Sequence, residues 1–69
     1  MIEVFKTNVH EFSEAQKVIA LLNRHFPGSR INFDLDDCDK VLRVEGNNFI
    51  TEKVMKLVNE KGFVCSILD

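Results

Sequence analysis

The sequence predicts an α+β fold with the element order βαββαβ. Three observations carry that prediction. Two segments place apolar residues three and four apart, four short segments alternate apolar with polar residues, and Pro, Gly, Asn and Asp punctuate the joins.

Residues 2–7 form the first strand, with Ile2 and Val4 alternating against Glu3, Phe5 and Thr7. Ser13-Glu14-Ala15-Gln16 then reads as a capping box, in which the Ser hydroxyl and the Gln amide satisfy orphan N–H groups at a helix start. Ala15, Val18, Ile19, Leu22 and Phe26 form one helical stripe, which Pro27-Gly28 ends. Ile31, Phe33 and Leu35 alternate with Arg30, Asn32, Asp34 and Asp36, and a polar turn of Asp36-Asp37-Cys38-Asp39 follows. Leu42 and Val44 return against Val41, Arg43 and Glu45, which completes a β-hairpin. Gly46-Asn47-Asn48 offers the next cap. Ile50, Val54, Leu57, Val58 and Lys61 mark the second helix, and Gly62 with Phe63 behind it fits a Schellman stop. Phe63, Cys65 and Ile67 alternate with Val64, Ser66 and Leu68 in the last strand.

This order is the split-βαβ, ferredoxin-like arrangement. Right-handed crossovers place both helices on one face of a four-stranded antiparallel sheet, with expected spatial strand order 4-1-3-2. Residues 1–69 make a single domain, close to the lower size limit for one self-sufficient core. A hydrophobic fraction of 45% and a charged fraction of 29% are those of a globular chain. The net charge of −2 gives no pull toward nucleic acid or anionic membrane. No apolar run reaches the roughly 20 residues that span a bilayer. Met1-Ile2-Glu3-Val4 has no signal-peptide character, so the expected location is the cytoplasm. Cys38 and Cys65 form no CxxC and are expected to be reduced and unlinked.

Phe26-Pro27-Gly28, the spaced apolar residues Ile31, Phe33 and Leu35, Lys40-Val41-Leu42-Arg43-Val44-Glu45-Gly46, and Lys61-Gly62-Phe63 together carry a likeness. The chain resembles a heavy-metal-associated domain, the fold of copper chaperones and metal-ATPase amino-terminal modules. The resemblance implies a first loop bearing Met-Thr-Cys-x-x-Cys, whose two thiolates hold a soft metal. In that register this chain has Lys6, Asn8 and Glu11, with no sulfur. An Asn amide is a poor ligand for a soft ion, Glu11 supplies one hard oxygen, and the Lys6 ammonium repels a neighbouring cation. Thiolate metal transfer is therefore not expected.

His10 and Glu11, with Asn8, are the remaining candidates for a borderline metal such as Zn(II) or Ni(II). Their plainer role is as solvated residues beside a helix start, where Glu11 complements the helix dipole. His25 reads as a contact at the end of the first helix. The acids Asp34, Asp36, Asp37 and Asp39 lack the bend Gly and the terminal Glu of a calcium loop and read as a solvated turn.

No catalytic reading is supported. There is no Ser-His-Asp order, Gly-rich phosphate loop or recognised carboxylate pair. The first loop lacks the Arg of an acylphosphatase phosphate cradle. An RNA-recognition module would need stacking aromatics on both central strands, where only Phe5 is expected outward on one and Arg43 on the other, and Glu3 and Glu45 would repel phosphate. The chain reads as non-enzymatic and without a cofactor.

What remains is a surface. On the sheet face away from the helices, the alternation puts Met1, Phe5, Val41, Val64 and Leu68 among Glu3, Asn32, Asp34, Arg43, Glu45 and Ser66. Phe5, Val41, Arg43 and Val64 are the expected contacts for a protein partner or a second copy. The edge strands carrying Ile31–Leu35 and Phe63–Ile67 are further places for pairing. The expected role is a non-catalytic interaction module, and the alternative is a metal-handling protein using non-cysteine ligands in the first loop.

Overall fold

A computed structural model describes residues 1–68. The elements run β1 (Ile2–Thr7), α1 (Phe12–His25), β2 (Arg30–Asp34), β3 (Val41–Glu45), α2 (Thr51–Glu60) and β4 (Cys65–Ile67). They form one antiparallel sheet in the order β2-β3-β1-β4, the ferredoxin-like arrangement that the element pattern predicts. The core lies between the sheet and the helices. Val18, Leu22 and Phe26 from α1 and Val54, Leu57 and Val58 from α2 meet Phe5, Ile31, Leu42, Val44 and Cys65 from the strands.

The first strand corrects the sequence reading. Phe5 is fully buried, whereas Ile2 is 49% exposed and Val4 half-buried. The pairing explains this. Phe5 stands opposite Leu42 and Thr7 opposite Cys65, and residues opposite one another project to the same side of the sheet. Leu42 and Cys65 face the helices, so Phe5 and Thr7 do too. Met1 and Glu3 share that alternation, and they likewise leave the open face.

Both helices begin differently from the capping pattern. The N-cap of α1 is Glu11 and that of α2 is Ile50, and neither makes a side-chain cap bond. Ser13 therefore lies inside α1, and Ile50, expected on the apolar stripe, is 59% exposed. Buried residues just before each helix set the entry instead. Val9 is fully buried ahead of α1, and Phe49 is 4% exposed ahead of α2. Phe49 and Val54 have the N′ and N4 spacing of a hydrophobic staple and share the core.

The helix ends agree with the sequence. Ser29 N–H closes on Phe26 C=O at 3.1 Å across Pro27-Gly28, with Gly28 at φ +93. Pro fixes the first turn position and Gly supplies the second, which makes a type II turn. After α2, Gly62 at φ +95 donates to Asn59 C=O at 2.9 Å and Phe63 N–H reaches Val58 C=O at 3.4 Å. These are the two bonds of a Schellman stop. Gly46 is closely approached instead, since a Cβ there would lie 2.7 Å from Ser29 Oγ and 3.2 Å from its Cα.

Candidate functional site

The first loop divides into a built half and an open half. In the built half the Thr7 hydroxyl donates to Lys40 C=O and accepts from Val9 N–H at 3.2 Å. Thr7 N–H also donates to Asp39 C=O at 3.0 Å, which fastens the loop to the β2–β3 hairpin. Asn8 Oδ1 accepts from Val64 N–H at 2.8 Å and fastens it to the start of β4. The amide oxygen that sequence reasoning offered to a metal is thus a latch between two loops. In the open half His10, Glu11 and Phe12 are exposed, and Phe12 reaches 70%.

Lys6 projects on the opposite side of β1 from Phe5 and Thr7. Its Nζ lies 3.7 Å from Asp39 Oδ1, with the side chain 60% exposed. At that exposure the pair adds at most about 1 kcal/mol.

The acidic hairpin is held by its own carboxylates. Asp34 Oδ1 accepts from Asp36 N–H at 3.2 Å, and Asp37 Oδ1 accepts from Asp39 N–H at 2.9 Å. These are Asx turns, which use short acidic side chains to close the backbone. Lys40 then adopts the left-handed φ of 45, and its Nζ donates to Leu35 C=O at 2.8 Å. Among the described residues, Asp37, Cys38 and Asp39 form the group whose ligand atoms fall within 4.8 Å of one another. His10 and Glu11 do not belong to it.

Both cysteines are free, Cys38 at the surface and Cys65 buried. Burial pushes the Cys65 thiol up from 9.0 to about 11, which makes it inert as a nucleophile near neutrality. His25 is exposed at the end of α1, with its ring centroid 6.4 Å from that of Phe26.

The open face of the sheet is covered by neither helix. Ile2, Val4 and Lys6 from β1 lie beside Val41, Arg43 and Glu45 from β3, with Arg30, Asn32 and Asp34 from β2 beyond. Val64, Ser66 and Leu68 take the same alternation around β4, where Leu68 N–H donates to Val4 C=O at 2.9 Å. Val41, Arg43 and Val64 lie on this face, Val64 at its far end beyond Lys6 and Ser66, while Ile2 and Val4 occupy the place assigned to Phe5. Ile2 is 49% and Val64 61% exposed. Arg43 and Glu45 pair at 3.9 Å along β3 on this surface.

A cleft of about 320 Å³ lies between α1 and β2, with Phe12, Ile19, Phe33 and Leu35 as its apolar lining. Sequence reasoning did not find it. The exposed Phe12 directly before the first helical stripe was the available signal.

No helix among the described residues is long and apolar enough to cross a membrane. No family model, curated protein or solved structure matches this chain.

Proposed function

We propose that this chain is a non-catalytic protein-interaction module that binds through the open face of its sheet. The observation that carries this reading is the apolar group Ile2, Val4, Val41 and Leu68, left uncovered around Arg43, with Val64 exposed at the far end of the same face. A contiguous uncovered apolar group marks an interaction surface, and Arg is enriched at such surfaces. The resemblance to heavy-metal-associated domains belongs to the same reading. The element order and the Pro27-Gly28 turn support it, while Lys6, Asn8 and Glu11 in place of thiolates turn the role from metal transfer toward binding.

The test is affinity capture with the wild-type chain and with a Val41→Glu/Val64→Lys variant, followed by titration of any captured partner. Val64 is exposed and Val41 half-buried, so circular dichroism should show an unchanged fold. A partner held by the wild type and lost by the variant supports the reading. Equal binding by both sinks it. A response of the His10 ring signals to equimolar Zn(II) or Ni(II) would favour the metal alternative instead.

A further inference from the structure

We infer that the β2 edge is a homodimerisation site, at which two copies pair antiparallel into one continuous eight-stranded sheet. This concerns the β2 edge of the sheet, apart from the apolar group around Arg43, and it stands whether or not that group binds a partner.

The backbone pattern comes first. Gly46 N–H donates to Met1 C=O at 2.9 Å, so Gly46, Val44 and Leu42 direct their amides toward β1. In an antiparallel ladder the direction alternates, so Val41, Arg43 and Glu45 direct theirs toward β2. Their partners Asp34, Asn32 and Arg30 are then the hydrogen-bonded positions of β2. Ile31 and Phe33 are left with N–H and C=O directed out at the free edge. An exposed row of this kind is a template for another strand.

The side chains identify that strand as β2 of a second copy. With Asn32 on a twofold axis, Ile31 meets Phe33 of the second copy and the two exchange backbone hydrogen bonds. Arg30 meets Asp34 of the second copy, and Asp34 meets its Arg30. These are non-hydrogen-bonded positions, where opposing side chains come closest. The pair is self-complementary, as a twofold interface requires. Within one chain Arg30 stands opposite Glu45 of β3, but Glu45 pairs with Arg43, and among the described residues neither Arg30 nor Asp34 makes an ion pair. Asp34 uses Oδ1 for the Asp36 N–H. On the helix side, the cleft lined by Phe12, Ile19, Phe33 and Leu35 adjoins the same edge, and Ile31 of the second copy, opposite Phe33, lies at its margin. The β4 edge has no such match, since it is three residues long and Ser66 is its only polar side chain.

The test is sedimentation from micromolar to millimolar concentration, with amide shifts recorded at each end. The wild type is expected to move from 8.0 kDa toward twice that mass, with shifts centred on Ile31 to Asp34. Arg30→Asp alone and Asp34→Arg alone each place like charges opposite one another twice, and each should weaken dimerisation roughly tenfold or more. Mixing the two single variants should restore a heterodimer, and the double variant Arg30→Asp/Asp34→Arg should restore a homodimer. The double variant and the mixture keep the test decisive if one single variant folds poorly. A wild type that stays monomeric at millimolar concentration overturns the inference. So does a dimer unchanged in both single variants, or shifts at Ile31 and Phe33 that appear only with an added foreign peptide. Loss of the dimer with intact open-face binding, or the converse in Val41→Glu/Val64→Lys, separates failure of this site from failure of the open-face reading.

Discussion

The two sides of the sheet draw on the same kinds of residue, yet one side is a core and the other an uncovered surface. On the helix side Phe5, Leu42 and Val44 are fully buried, and even the polar Thr7 is only 6% exposed, with its hydroxyl bonded in both directions. On the open side Ile2, Val4, Val41 and Leu68 are as apolar but have no layer above them. The difference teaches that apolar character alone does not place a strand residue. What places it is the side on which the crossover helices land, and right-handed crossovers put both on one face.

That contrast can be broken most strongly at Phe5. Phe5→Ala should cost about 3–5 kcal/mol in urea unfolding, which approaches the whole stability of a domain this size. If Phe5→Ala unfolds at nearly the wild-type midpoint, the helix-side placement is wrong.

The next effect is a pH dependence from Cys65. Its thiol is held up at about 11 in the folded state against 9.0 in the unfolded chain. Below pH 9 both states are protonated and the full stability is present. Above that the unfolded chain ionises first and binds fewer protons, so stability falls as pH rises from 9 toward 11. The loss should reach about 2–3 kcal/mol, at roughly 1.4 kcal/mol per unit, and vanish in Cys65→Ala. The alkaline unfolding curves of the two proteins check it.

A smaller effect is expected at Thr7→Val, where removal of the hydroxyl strands the Val9 N–H and the Lys40 C=O. That change should cost about 1–2 kcal/mol with little change in shape. On the open side, Val64→Lys should move stability by less than about 0.5 kcal/mol while abolishing any binding by that face. A large stability loss there would mean that the open side is packed.

Legibility from sequence followed the range of the interactions. The Gly28 turn and the Gly62 stop were legible because Pro fixes φ, Gly admits positive φ, and both bonds close within a few residues. The helix starts were less so. Ser13 and Gln16 satisfied a local rule, but the buried Val9 brought the chain into α1 by another route. The candidate site was half legible. Val41, Arg43 and Val64 share the open side as the alternation of β3 and β4 requires, whereas Phe5 does not. Asn8 could not have been identified as a latch, since its partner Val64 lies far along the chain.

The sequence by itself determined the six elements, their order and the sheet topology, because periodicity and turn chemistry are local and crossover handedness limits the rest. Only the tertiary structure decided which side of β1 faces inward. An alternating strand has two equivalent sides until its neighbours are fixed, and pairing with Leu42 and Cys65 sent Phe5 and Thr7 to the core. The same pairing left Ile2 and Val4 beside Arg43, and left the amides of Ile31 and Phe33 facing outward at the free edge.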